Sequence, residues 1–175
     1  MFILLFCLLP ILILIIISTI DTRKYGVFKQ KRVGENGSFF VIFKIRTINE
    51  NQKISRLAKF LRRTKIDEIP QLFNILFGDM SFVGPRPDLI GFADRLKGED
   101  KIILTIKPGL TGPSSIKYFD EEKILKETEN KEKIITTFWK DKIKINKDYI
   151  LNYSFCKDIY YLLKTIQNVV KSLVV

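Results

Sequence analysis

Met1-Phe2-Ile3-Leu4-Leu5-Phe6-Cys7-Leu8-Leu9-Pro10-Ile11-Leu12-Ile13-Leu14-Ile15-Ile16-Ile17-Ser18-Thr19-Ile20 is the stretch on which the architecture turns. It holds no charged residue, and the first charge in the chain is Asp21. An α-helix rises about 1.5 Å per residue, so roughly twenty apolar residues reach across a hydrocarbon core near 30 Å thick. Pro10 lies in the middle of the run. Proline removes one backbone hydrogen bond and crowds the preceding turn, so a break or kink near Leu9 is expected. Two arrangements are open: a kinked span, or a helix–break–helix that enters and leaves a membrane by one face. A secretory signal peptide would carry a basic start and a small-residue cleavage site, and neither is present. Arg23 and Lys24 come next in the chain, then Lys29, Lys31 and Arg32. Positive charge beside an apolar segment marks its cytoplasmic side. The expectation is a membrane-embedded helix over residues 1–22 and a cytoplasmic, membrane-associated domain over residues 23–175.

A chain of 175 residues fits one domain, and its formal charge of +11 is carried by the part after the apolar segment. Two cysteines and no histidine exclude several chemistries. There is no imidazole base, no His-based triad and no His-ligated zinc, and no disulfide framework is expected. Carboxylates, Lys, Arg and hard cations are what remain for catalysis.

Between Arg23 and Lys65 there are thirteen Lys or Arg residues against Glu35 and Glu50. Lys29 to Lys44 reads as a hairpin: Glu35-Asn36-Gly37 supplies turn chemistry, and Phe39, Val41 and Phe43 alternate on one face. Ile54 to Arg63 reads as a basic amphipathic helix, with Ile54, Leu57 and Leu61 on one stripe. Such a helix is suited to an anionic membrane surface.

Thr64-Lys65-Ile66-Asp67-Glu68-Ile69-Pro70 carries the chemistry. Pro70 is tolerated only in a first helical turn, so a helix running to about Phe77 is expected to start close to Asp67, with Gly78 at its end. The helix dipole and the neighbouring cations should keep the two carboxylates ionised. An ionised carboxylate can attack phosphorus to give an acyl phosphate, and it can also hold magnesium beside phosphate oxygens. In Gly84-Pro85-Arg86-Pro87 an Arg is restrained by proline on both sides and is suited to bidentate contact with a diphosphate. Lys107-Pro108-Gly109-Leu110-Thr111-Gly112-Pro113 is a second loop of similar composition. At the C-terminus, Ser154 can cap a last helix striped by Ile159, Leu162, Leu163, Ile166, Val170 and Leu173. Trp139 and Tyr149, Tyr153, Tyr160 and Tyr161 fit an interfacial location. Asp120 to Lys133 is charged on every side and reads as solvated.

Lys59 to Leu76, continuing through Pro85-Arg86-Pro87, closely resembles the central motif of the bacterial sugar transferases, the monotopic phosphoglycosyl transferases. The resemblance extends upstream to Phe28–Gly37 and Phe43–Ile48, and downstream to Lys107–Gly112 and Asn152–Phe155. What it implies is an α/β, mostly helical protein with a short β-hairpin, amphipathic interfacial helices and a re-entrant N-terminal helix broken at Pro10. It implies catalysis by Asp67, as nucleophile, and Glu68, with both holding Mg²⁺. Lys44, Arg46, Pro85, Arg86 and Pro87 then face the nucleotide and phosphates. The implied reaction moves a sugar-1-phosphate from a UDP-sugar to polyprenyl (undecaprenyl) phosphate, releasing UMP through a covalent phospho-sugar aspartate. It would be the first membrane step of bacterial polysaccharide or glycoconjugate synthesis, at the cytoplasmic face of the inner membrane and among its lipids, with no nucleic acid partner. Among the departures from the family pattern, Ile45 replaces a common Phe, and Pro113-Ser114-Ser115 replaces a Trp-Ala-Gln type sequence, which bears on the sugar accepted. A membrane-tethered nucleic-acid binder would explain the basic middle but not the acidic pair, and an inactive scaffold would need neither carboxylate.

Overall fold

The structure, a computed structural model, describes residues 2–126 and 131–174. Helix α1 (Phe2–Thr22) holds the apolar run and leads into strands β1 (Val27–Val33) and β2 (Phe39–Ile45). Pro10 lies inside α1 instead of dividing it, which corrects the expected break. Proline withdraws only its own N–H from the ladder, and the apolar residues on either side keep theirs, so the helix continues. Among the described residues no helix is long and apolar enough to cross a membrane. Hydroxyls tie the end of α1 to the open end of the hairpin. Ser18 Oγ donates to the carbonyl of Arg46 at 2.6 Å, and Thr19 Oγ1 accepts from the amide of Gly26 at 2.9 Å. Ile11, Ser18 and Thr22 are buried, whereas Leu9, Ile16 and Ile20 are exposed.

The hairpin forms as the alternation predicts. β1 and β2 pair antiparallel from Val27↔Ile45 to Val33↔Phe39. Asn36 and Gly37 take φ of 55° and 76° in the turn, the left-handed conformation that Asn and Gly adopt most readily. The basic helix also forms, as α2 (Arg56–Arg63), with Ser55 Oγ accepting from the amide of Ala58 at 3.0 Å. Ala58 and Leu61 are its buried residues. The next segment differs from the reading. Lys65 turns to φ 58°, residues Ile66–Glu68 form a single 3₁₀ turn, and helix α3 (Gln71–Leu76) starts only after Pro70. Asp67 and Glu68 therefore lie one turn ahead of α3. Gly78, at φ 85°, ends the helix as expected.

Strands β3 (Ser81–Val83) and β4 (Gly109–Thr111) pair in parallel, joining the two Gly/Pro loops. Helices α4 (Pro113–Lys117), α5 (Glu121–Lys126), α6 (Lys131–Leu151) and α7 (Phe155–Val174) complete the chain. Part of the segment read as merely solvated is thus helical in α5, and residues 127–130 lie outside the described residues. The core gathers Val33, Ala93, Leu96, Ile103 and Ile143, with Trp139 packed against them. Trp139 meets Phe92 edge to face at 6.0 Å, and buried Tyr149 donates to Asp158 at 2.7 Å. The interfacial location expected of these two is corrected: Trp139 shares a face of α6 with Ile143 and packs on the core, and Tyr149 is buried against the rings of Tyr153 and Tyr161. Tyr153 and Tyr160 are exposed.

Candidate active site

Asp67 and Glu68 are both buried, yet their surroundings differ sharply. Glu68 is saturated. Arg86 forks onto it from Nη1 at 3.1 Å and Nη2 at 2.5 Å, Lys44 Nζ lies at 3.1 Å, and Gln71 Nε2 at 3.3 Å. Burial pushes the Glu68 carboxyl up, but the charges of Arg86 and Lys44 outweigh it and hold the group well below the usual carboxylate range. Glu68 in turn raises Arg86. Asp67 is the opposite case. Its Oδ1 is buried with no hydrogen-bond partner. Burial first, then the adjacent Glu68 charge, raises it to about 6. The sequence pointed to a carboxylate held ionised by cations and a helix dipole. In the structure Arg86 and Lys44 bond to Glu68, and Asp67 sits in a 3₁₀ turn.

The pair opens into a cavity of about 300 Å³ lined by Lys24, Lys44, Arg46, Arg62, Lys65 and Arg86, among others. A space this cationic, with two carboxylates at its wall, is suited to a polyphosphate ester. The expected site residues take different positions. Lys44 and Arg86 reach the dyad. Arg46 lines the cavity, but its Nε donates to the carbonyl of Tyr25 at 2.8 Å and its guanidinium lies over the Phe28 ring, so it also pins the junction of α1 and β1. Pro85 and Pro87 hold the loop: the Pro85 carbonyl accepts from the amide of Gly109 at 2.8 Å, and that of Pro87 from Arg32 at 3.2 Å.

Four supporting residues escaped the sequence reading in this role. Gln71 stands three residues after Glu68, a helical spacing that could have flagged it. Arg32 and Gln30 alternate inward on β1 while Lys29 and Lys31 face out, so the period of two was a signal too. Asn74, fully buried, has its amide accept from the amide of Phe43 at 3.2 Å and donate to the carbonyl of Val41 at 2.7 Å. It completes β2 beside Lys44 as a further strand would, and nothing local foretells it.

Among the described residues no group of three or more His, Cys, Asp or Glu could hold a metal ion. The donor set nonetheless fits Mg²⁺ held partly by substrate: Asp67 has a free buried oxygen, and Mg²⁺ commonly takes one or two carboxylates plus phosphates and water. Glu68 would first have to release Arg86 or Lys44.

The family described as bacterial sugar transferase matches residues 1–172 of this chain. A galactosyl transferase of Streptococcus agalactiae is 30% identical over 172 residues, covering 83% of this chain and 35% of that protein. An uncharacterized sugar transferase of Bacillus subtilis is 30% identical, covering 83% of this chain and 70% of that one. The UDP-glucose:undecaprenyl-phosphate glucose-1-phosphate transferase of Klebsiella pneumoniae is 35% identical over 125 residues, 61% of this chain and 27% of that one. The chain thus spans about a third or less of the length of two of these relatives. With the match running from end to end through the dyad, the Pro-Arg-Pro loop and the last helix, this chain belongs to the bacterial sugar transferases.

Proposed function

We propose that this protein transfers a sugar-1-phosphate from a UDP-sugar to polyprenyl phosphate, through a covalent intermediate on Asp67. The observation that carries the reading is the asymmetry of the dyad: Glu68 is locked by Arg86, Lys44 and Gln71, while Asp67 keeps a buried oxygen free. An Asp67 oxygen attacks the β-phosphorus, and the bond from that phosphorus to the bridging oxygen breaks. UMP leaves with the bridging oxygen. A phosphate oxygen of the acceptor then attacks the same phosphorus, the bond to Asp67 breaks, and the carboxylate is restored. Desolvation sharpens Asp67 as a nucleophile, and Arg86 and Lys44 offset negative charge on the transferring group. Mg²⁺, held by Asp67 and the diphosphate, would neutralise charge that develops on the phosphate oxygens. The names of relatives such as the Klebsiella enzyme support the same donor and acceptor classes.

An acceptor with a long isoprenoid tail calls for a membrane location. The exposed apolar residues of α1 and α7, with the cations that come after α1, support a membrane anchor on α1 and a catalytic domain on the cytoplasmic face. Incubation with UDP-sugar and Mg²⁺ but no acceptor is expected to release about one equivalent of UMP and to add a sugar phosphate to the peptide containing Asp67. Asp67→Asn should lose both, and EDTA should abolish turnover. UMP release that strictly requires the acceptor would replace the covalent route with direct displacement.

A further inference from the structure

A second cavity, of about 370 Å³, lies against Glu68 of the pair. That volume is within the ~300–1,000 Å³ of ligand pockets. Lys65, Glu68 and Arg86 line both cavities, so ligands seated in the two would meet at one charged wall. Away from that wall the lining is mainly apolar: Ile69 and Leu72 come from the dyad turn and α3, Ile116 and Phe119 from α4 and the residues after it, Leu162 and Val169 from α7. Most of these offer a ligand no hydrogen bond, and a chain of hydrocarbon needs none. The polar exceptions include Asp88, the Lys142–Glu121 ion pair, and Ser115 and Asn146, the last two each with a buried oxygen that lacks a partner.

The opening of this cavity also matters. Ile166 both lines it and is 60% exposed, which places Ile166 at the mouth. Leu163, Val170 and Leu173, on the same side of α7, are exposed and apolar. The apolar lining is therefore continuous with an apolar outer surface. A water-soluble ligand has no use for that continuity, but a lipid tail entering from a bilayer does. An anionic head at the cationic wall and an isoprenoid chain behind it match the two ends of the cavity.

We propose that this cavity seats the phosphate-proximal isoprenoid units of the polyprenyl phosphate acceptor, with its phosphate at Lys65 and Arg86. The inference rests on the transferase reading above. The test uses the full chain in lipid nanodiscs and a polyprenyl phosphate bearing a photoreactive diazirine on its phosphate-proximal units. Label is expected in the peptides spanning residues 113–119 and 162–169, competed by unmodified polyprenyl phosphate. Leu162→Trp should remove that label and raise KM for the acceptor at least about tenfold, as expected when several carbons are kept from burial. Ile166→Trp, at the exposed mouth where it disturbs little packing, should act in the same direction. Label confined to residues outside the cavity would overturn the proposal. A rise in KM for the nucleotide sugar instead would overturn it too, giving the cavity and its Ser115 and Asn146 to the sugar. The crosslink needs no turnover. Wild-type protein that labels in the cavity yet transfers nothing would overturn the transferase reading and leave this one standing.

Discussion

Asp67 is a residue whose charge opposes folding. Its carboxyl is raised from 3.8 to about 6, so the folded state binds the proton more tightly than the unfolded chain does. Below the unfolded value both states are protonated and nothing is lost. As pH rises through about 6 the folded state must hold a buried anion, and the full cost, up to about 3 kcal/mol, is present above that. In metal-free protein kept in EDTA, Asp67→Asn is therefore expected to raise the thermal midpoint at pH 8 and to leave it unchanged near pH 3.5, while the same variant supplied with Mg²⁺ shows no turnover. An equal effect at both pH values would mean that the Asp67 charge is not the cause. Arg86→Lys tests the other half of the dyad. Lysine keeps the charge but loses the planar fork that meets both oxygens of Glu68. Turnover should fall by about tenfold or more, since coupled hydrogen bonds to a charged group are each worth ~1.5–3 kcal/mol. A wild-type rate in Arg86→Lys would remove bidentate geometry from the account.

At the scale of elements, the loop bearing Arg86 is positioned by a close approach of glycines. A Cβ on Gly109 would stand 2.1 Å from the Gly84 amide nitrogen and 2.5 Å from the Thr111 carbonyl oxygen. Both neighbours are backbone, so neither can turn away, and β3 and β4 would have to part. The amide of Gly84, which donates to the Thr111 carbonyl at 2.9 Å, would lose its partner along with the Gly109–Pro85 bond. Gly109→Ala is expected to cost at least about 2 kcal/mol and to lower UMP release with it, through the misplaced Pro85-Arg86-Pro87. Chemical denaturation and the UMP assay check both, and an unchanged midpoint would show that the strands tolerate the added carbon.

Across the molecule, exposed apolar side chains gather on α1 and α7: Leu9, Ile16 and Ile20 on the first, Leu163, Ile166 and Val170 on the second. Surfaces of this kind mark contact with lipid or protein. If α1, continuous through Pro10, lies in one face of the bilayer without crossing it, its start is on the same side as the domain. A cysteine at position 2, in a Cys7→Ser and Cys156→Ser background, is then expected to resist an impermeant thiol reagent in intact cells and to react after lysis. Labelling of intact cells would mean a spanning helix, with the transferase reading untouched.

Local features were legible from the chain alone. Asn36 and Gly37 dictate their turn because few other residues accept a positive φ, and the alternation of Phe39, Val41 and Phe43 sets β2. The basic helix and the striped last helix were legible for the same reason: each is written in neighbours three or four residues apart. The acidic pair with its Pro-Arg-Pro loop was legible as a motif, though not as a geometry. The difference between Asp67 and Glu68 arises only in the folded chain, because it depends on which carboxylate Arg86, eighteen residues away, and Lys44, twenty-four away, reach. Folding likewise makes Asn74 complete β2 across 31 residues, and pairs the two Gly/Pro loops as strands. It also turns Trp139 and Tyr149 inward, since a helix face is buried or exposed according to what packs on it. Long-range pairing carries no local periodicity, so a single sequence leaves it unwritten.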